Sequence, residues 1–381
     1  MKITAIETFL VPPRWLFCRI QTDDGVVGWG EPVLEGRAAT VRAEVHQLAS
    51  RLIGLDPLRI EDHWQVMTKS GFYRGGGVLG SAVAGIDQAL WDIGGKVRGA
   101  PVHELLGGPV RDRARIYCWV GGDEPGELAE SIGEKVDAGY SAIKMNVSGR
   151  MDPIASVADI QAVIDRAAAA REALGPDRDV AIDFHGRVSR ANAARLLPLL
   201  QSAAPLFVEE PLLPELGHFL PEIVGASNIP IATGERLYSR SEFLPALQAG
   251  VTVVQPDTSH AGGISETRRI AVLAETFGAQ LAPHCPLGPI AFAACLQVDF
   301  ATPNFLIQEQ SLGIHYNQDN DLLDYLVDTS VFAMREGHID RPTGPGLGIE
   351  IDEAAVRRAD KIGHDWYPPL WRHSDGSFAE W

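Results

Sequence analysis

The chain has 381 residues, more than one average domain needs and fewer than three would use. Lys plus Arg number 33 and Asp plus Glu 50, so the formal charge of −17 repels nucleic acid and anionic lipid, and an anionic substrate needs a local positive centre. Hydrophobic residues make up 45% of the chain, enough for a large core, and no apolar run approaches the ~18 residues of a membrane span.

The segment Met1-Lys2-Ile3-Thr4-Ala5-Ile6-Glu7 alternates as a strand and lacks the apolar stretch of a signal peptide, so a cytoplasmic location is expected. Residues 2–10, 16–22 and 26–31 read as strands, with Asp23-Asp24-Gly25 as the turn between the last two. A helix follows in which Leu79, Ala82, Val83, Ile86, Leu90, Ile93 and Val97 form one apolar stripe. The first 112 residues are thus predicted to be an α+β domain.

From residue 114 the rhythm changes. Short apolar runs ending in polar residues occur at 114–120, 142–146, 180–184, 206–210, 230–235, 252–257, 280–284 and 305–309. Helical spacing separates them, as in Leu128, Ile132 and Val136 with Gly139 as C-cap, and in Val157, Ile160, Val163, Ile164 and Ala167. Eight such units predict a closed (β/α)₈ barrel of the TIM type over residues 113–320. Residues 321–381, with turn chemistry in Pro342-Thr343-Gly344-Pro345-Gly346, are expected to pack back on the N-terminal domain. Cys18, Cys118, Cys285 and Cys295 are scattered and read as reduced, buried thiols.

Barrel active sites lie at the C-terminal strand ends, so the last polar residue of each run is the place to look. These are Lys144 and Asn146, Asp183 and His185, Glu209, Glu235, Asp257, His284 and Glu309. Asp183, Glu209 and Glu235 are each 26 residues apart, which predicts three carboxylates at one height on neighbouring strands. Such acids repel one another unless a hard cation joins them, and all-oxygen ligation suits Mg²⁺. Any one of them alone would more often cap a helix or pair with an arginine. Asp257 is placed to bond His284 and raise its basicity, while His185 is expected on the same side of its strand as Asp183. Lys144 is suited to neutralise a substrate carboxylate. Gly75-Gly76-Gly77-Val78-Leu79-Gly80 fits a nucleotide-binding pattern, but no βαβ unit surrounds it. Cys285, adjacent to His284, points to the opposite face and is not expected to meet that imidazole.

These residues resemble the enolase superfamily, mandelate racemase subgroup. The likeness extends over the whole chain: Trp29-Gly30-Glu31-Pro32, Gly71-Phe72-Tyr73-Arg74-Gly75-Gly76, Asp183-Phe184-His185-Gly186-Arg187, Glu209-Glu210-Pro211, Ala282-Pro283-His284-Cys285-Pro286, Gln308-Glu309-Gln310-Ser311 and Pro369-Leu370-Trp371-Arg372-His373. The resemblance implies Mg²⁺ on Asp183, Glu209 and Glu235, the Asp257–His284 pair as base, and His185 as the acid that protonates a departing hydroxyl. Lys144 and Glu309 would steady the substrate carboxylate and the enediolate. Asn146 stands where racemases of the family carry a second lysine, which argues against racemisation. The implied reaction is dehydration of an aldonic acid, D-galactonate above others; dehydration of gluconate, mannonate or fuconate is the alternative, ahead of an epimerase or cycloisomerase. Substrate contacts are also expected from Arg14 and Trp15 in one capping loop, Tyr73 and Arg74 in a second, and His315 beyond the eighth strand. Family members usually assemble as homo-oligomers, octamers among them.

Overall fold

The alternating N-terminal segment becomes the outer strand of a meander. The computed structural model describes residues 1–121 and 125–381. Strands β1 (Ile3–Val11), β2 (Trp15–Thr22) and β3 (Val27–Gly30) form an antiparallel sheet in that order. The β2–β3 turn closes at Thr22, whose amide donates to Val26 O at 3.0 Å, with Gly25 at φ +82° supplying the left-handed backbone.

Helices α1 (Ala38–Ala49), α2 (Ile60–Lys69) and α3 (Gly77–Arg98) cover this sheet, and the short α4 (Val102–Leu105) follows. Helix α3 lies almost against β3. A Cβ on Gly30 would sit 1.8 Å from Gly85 O, so only glycine permits this approach. The predicted single stripe on α3 is too narrow. Nearly every residue from Ser81 to Gly95 is buried, because the helix is wedged between sheet and barrel, while Val97 is exposed.

The barrel contains β4 (Arg113–Val120), α5 (Pro125–Asp137), β5 (Ala142–Asn146), α6 (Val157–Leu174), β6 (Asp179–Asp183), α7 (Arg190–Leu200), β7 (Val208–Glu209), α8 (Leu220–Gly225), β8 (Ile231–Thr233), α9 (Arg240–Gln248), β9 (Val253–Val254), α10 (Gly263–Thr276), β10 (Gln280–Leu281), α11 (Pro289–Ala301) and β11 (Gln308–Gln310). Neighbouring strands from β4 to β10 pair in parallel, and β11 pairs with β4. The ring closes where Leu306 N donates to Leu281 O at 2.8 Å and Leu281 N to Asn304 O at 2.7 Å. All eight predicted runs carry a barrel strand, although several strands are only two or three residues long.

Inside the barrel one layer is packed shut by Tyr117, Ala142, Ala181, Phe207, Ala232, Val253, Ala282 and Ile307, one from each strand or its margin. Strand side chains alternate, so the residue two further along each run faces the same interior, one step nearer the mouth. Those residues are Trp119, Lys144, Asp183, Glu209, Gly234, Gln255, His284 and Glu309. The apolar floor therefore sets the site above it.

The cap is fixed to this mouth through polar contacts. Gln88 of α3 accepts from Glu31 N at 2.8 Å and donates to Thr258 O and Ser259 Oγ, both at 3.0 Å. Asp87 accepts from Ser265 N and Oγ, and Trp64 Nε1 donates to Gly262 O at 2.9 Å. Each such bond contributes on the order of 1 kcal/mol net, and more is lost if one buried partner is removed.

The remaining chain forms β12 (Met334–Arg335), β13 (His338–Asp340), α12 (Glu353–Asp360), β14 (Trp371–Arg372) and β15 (Phe378–Ala379). Its contacts run in two directions. Strand β13 pairs antiparallel with barrel strand β4, whereas α12 packs on β1 and Asp360 accepts from Leu10 N at 2.7 Å. No helix among the described residues is long and apolar enough to cross a membrane. The four cysteines are buried and unpaired as disulfides.

Asp299 in α11 is fully buried, and neither carboxyl oxygen has a hydrogen-bond partner. Burial pushes its carboxyl well above the usual carboxylate range, only partly offset by Arg111. The folded state thus keeps a proton that the unfolded chain releases above pH ~4, and stability falls as pH rises from there toward the folded-state pKa. Asp299→Asn is expected to raise the melting temperature near neutral pH and to leave it unchanged below pH ~4. Melting curves of both proteins across pH check this; parallel curves would refute it.

Candidate active site

Lys144 occupies the centre of the mouth. Its Nζ lies 2.7 Å from Glu209 Oε1, 2.8 Å from Glu309 Oε1 and 3.8 Å from Asp183 Oδ2. The Tyr117 ring of the floor lies beneath it, with the centroid at 5.8 Å. Burial alone would drive the ammonium to release its proton, but Glu209 and Glu309 hold it well above its ordinary value. Gln255 Nε2 donates to the second Glu209 oxygen at 2.7 Å, and Cys285 N donates to Glu309 Oε2 at 3.0 Å. Burial raises Asp183 to about 7, Glu209 to about 8 and Glu235 to about 7, with neighbouring carboxylates adding to the shift in each.

Asp183 and Glu209 are register partners on β6 and β7, as equal height requires. Glu235 is not their equal in register. Glu209 pairs with Ala232 on β8, and the interior position above Ala232 is Gly234. The strand breaks there: Gly234 has φ +145°, and a Cβ would lie 2.5 Å from the Phe243 ring. Glu210 holds this turn by accepting from Gly234 N at 2.9 Å, from Thr233 Oγ1 and from Arg236. Glu235 therefore reaches the mouth from a turn above its strand, and the equal sequence spacing is coincidental for this third acid.

On the facing wall, Asp257 Oδ2 lies 2.8 Å from His284 Nδ1, and His284 Nε2 lies 3.1 Å from Glu235 Oε2. Burial would lower the imidazole, but Glu235 and Asp257 hold it well above its ordinary value. The Cys285 thiol turns toward Cys295 and is raised by burial. His260, which ends no barrel run, joins this wall. Its Nδ1 is 3.6 Å from Asp257 Oδ2 and its Nε2 is 3.2 Å from Glu35 Oε2. The signal was the i, i+3 spacing in Asp257-Thr258-Ser259-His260, which a tight turn brings together, with His260 N donating to Asp257 O at 3.0 Å.

Two donor groups could hold a metal. Ligand atoms of Asp257, His260 and His284 lie within 4.8 Å of one another. In that group, however, Asp257 and the His284 Nδ1 face already share a hydrogen bond. Asp183 and Glu209, both buried, flank Lys144, and the half-buried Glu235 lies beyond them; these are oxygen donors whose mutual repulsion a hard cation would relieve.

Asp183, Glu235, His260 and His284 line a cavity of about 290 Å³ together with Lys144, Arg14, Asn146 and Glu309. Arg14 is anchored by donating to Pro286 O at 2.6 Å. His185 also lines it, but for a different reason from the one expected. Strand β6 ends at Asp183, so strand alternation does not carry His185; it sits in the next turn at φ +51°. Burial, then Arg187 and Arg236, push its imidazole down to about 3.

Other expected contacts lie elsewhere. Trp15 is fully buried at the start of β2, stacked on Phe17 at 6.1 Å, and is absent from the cavity wall. Tyr73 is 90% exposed and Arg74 donates back to Gly71 O at 3.0 Å, so neither reaches the cavity in this arrangement. His315 stacks on Trp119 at 4.6 Å and lines a wider outer cleft of about 840 Å³. The cavity instead gains Glu35, Arg236, Tyr238, Tyr316 and Trp381, none of which ends a barrel run. Glu31, in the Trp-Gly-Glu-Pro segment, seals the rear by accepting from Gly288 N at 2.7 Å and Ala291 N at 2.9 Å.

A closed α/β barrel under its own α+β cap, with buried acids and histidines at the strand ends, defines a class of barrel enzymes. Residues 4–107 match the mandelate racemase / muconate lactonizing enzyme N-terminal domain, and residues 127–355 match the enolase C-terminal domain-like model. The chain belongs to the enolase superfamily, within its mandelate racemase subgroup. It is 52% identical to the D-galactonate dehydratase of Xanthomonas oryzae pv. oryzae (strain PXO99A) and 50% identical to that of Variovorax paradoxus (strain S110), each over 100% of both chains. Among solved structures it is similar to an enolase from Agrobacterium radiobacter with bound Na and L-malate, at a TM-score of 0.91 and 33% identity over 100% of both chains.

Glu235→Gln is expected to weaken divalent-cation binding by at least about tenfold while the chain stays folded. Calorimetric titration with circular dichroism checks this; unchanged affinity would remove Glu235 from the donor set.

Proposed function

We propose that the chain dehydrates an aldonic acid, D-galactonate, to 2-dehydro-3-deoxy-D-galactonate and water. The observation that carries this reading is the pair of histidines, His284 and His185, lining one cavity with the acid cluster. The full-length likeness to D-galactonate dehydratases supports the substrate. Asp183, Glu209 and Glu235 would hold Mg²⁺. That cation supplies stabilisation of the charge that develops when an α-proton leaves a carboxylate anion.

His284 takes the proton from C2. Asp257 at Nδ1 fixes the tautomer, so Nε2 is the basic nitrogen. Glu235 faces that Nε2 at 3.1 Å and, as a ligand of the cation, would leave the nitrogen to the substrate. Lys144 binds the substrate carboxylate and offsets the growing charge, with Glu309 holding the ammonium in place. His185 then gives a proton to the 3-hydroxyl as the C3–O bond breaks, and the resulting enol becomes the keto acid. A substrate anion in the cavity favours the imidazolium of His185, against the push from Arg187 and Arg236. Arg14 and Asn146, with Glu35, Arg236, Tyr238 and Tyr316, are polar wall groups available to the sugar hydroxyls. Asn146 carries no basic nitrogen, which favours elimination over epimerisation.

Chelation is expected to abolish keto-acid formation and added Mg²⁺ to restore it; full turnover without metal would contradict the donor assignment. His284→Asn should stop both α-proton exchange in D₂O and water loss, whereas His185→Asn should stop water loss and leave exchange measurable, each loss being about 10²–10⁴-fold. Normal dehydration by His185→Asn would overturn the acid assignment. Comparing kcat/KM for D-galactonate, D-gluconate, D-mannonate and L-fuconate tests the substrate. A preference for any of the last three would keep the dehydratase reading and reject galactonate.

A further inference from the structure

His185 stands on a turn rather than on a strand, so the barrel ladder does not orient its ring. Its main-chain amide donates to Asp183 Oδ1 at 2.6 Å, which fixes the backbone and leaves the imidazole to other contacts. Those contacts come from the far end of the sequence. Trp381 O lies 2.9 Å from His185 Nδ1, and the Trp381 indole meets the imidazole edge-on at 5.2 Å with the planes at 81°.

The tryptophan is itself held. Its ring packs against Tyr316 at 5.7 Å and Trp366 at 6.2 Å, and Arg14 lies over both of those rings at 5.1 and 5.3 Å. The hairpin of β14 and β15 leads into it, with Trp371 paired to Ala379 and the Arg187 guanidinium over the Trp371 ring at 4.7 Å. Residues 371–381 are thus held by several contacts within one small region.

We propose that Trp381 is a positioning residue that sets the ring orientation and tautomer of His185. An oxygen at Nδ1 accepts, so Nδ1 carries a hydrogen and Nε2 is the nitrogen left for the cavity. The contact at Nδ1 and the edge-on indole together aim Nε2 toward the cavity. The device parallels Asp257 behind Nδ1 of His284. Each histidine of the pair has an acceptor behind it, one from the barrel and one from residues 364–381. Without Trp381 the ring is free to turn, and Nε2 is no longer held toward a leaving hydroxyl.

This inference rests on the proposed role of His185 as acid. The test uses the Mg²⁺-loaded full chain, D-galactonate in D₂O, and two rates: α-proton exchange and keto-acid formation. Removing Trp381 takes away both oxygen and ring; Trp381→Ala keeps the oxygen but loses its clamp; Trp381→Phe keeps an aromatic clamp. The ratio of exchange to elimination is expected to rise about tenfold or more on removal of Trp381, by less in Trp381→Ala, and to stay near wild type in Trp381→Phe. Melting temperatures confirm that each variant is folded. A ratio unchanged in all three, whatever happens to KM, makes Trp381 a cavity wall only and overturns the proposal. His185→Asn runs alongside: normal elimination there overturns the acid assignment itself, a failure separable from that of Trp381.

Discussion

An ammonium among acids governs this barrel mouth. Lys144 Nζ makes contacts of 2.7 and 2.8 Å with Glu209 and Glu309, in a region where Asp183, Asp257 and Glu31 are also withdrawn from water. One positive charge cannot offset so many carboxylates, and burial accordingly lifts Asp183, Glu209 and Glu235. The imbalance favours a further cation, which would relieve the repulsion among these acids. In a chain of net charge −17, Lys144 is the positive centre at this mouth that an anionic group could meet.

Keeping such a cluster dry requires a cover that does not lift off as a unit. The cap meets that requirement with hydrogen bonds as well as apolar contact. Glu31 and Gln88, both fully buried, tie the β3–α3 region to the N-terminus of α11 and to the turn after β9. This explains why α3 carries Asp87, Gln88 and Asp92 on faces that a two-sided helix would leave to water. The outer cleft shares Trp119, Asn146, Tyr316 and Trp381 with the inner cavity and is the way into it.

The regular part of the site was legible because strand geometry imposes it. Where a strand runs on undistorted, the residue two beyond a buried floor residue must face the mouth, and Lys144, Asp183, Glu209 and Glu309 obey that rule, while His284 reaches the mouth three residues past the end of β10. Departures begin where the ladder stops. Glu235 needs the Gly234 break, and His260 needs the turn that folds it back on Asp257. Arg14 and Trp15 are neighbours with opposite fates, because β2 begins at Trp15 and carries its side chain into the cap core. The contact between His185 and Trp381 joins residues 196 apart, and no local pattern announces a pairing of that kind. Tyr73 and Arg74 were credited with substrate contact through resemblance alone, and their loop faces solvent.

The order in which a ribosome delivers this chain has a bearing on its chemistry. The cap is the first part to emerge, yet β1 waits for α12, with Leu10 N bonded to Asp360 across the sheet edge. The acids of the barrel follow, and the aromatic wall of residues 364–381 is made after them. A nascent chain can therefore assemble the acid cluster at the strand ends well before it owns the groups that enclose it. During that interval the acids face open water rather than a chamber. Enclosure waits for residues 364–381, so fragments lacking them are expected to keep the cluster and lose the aromatic wall.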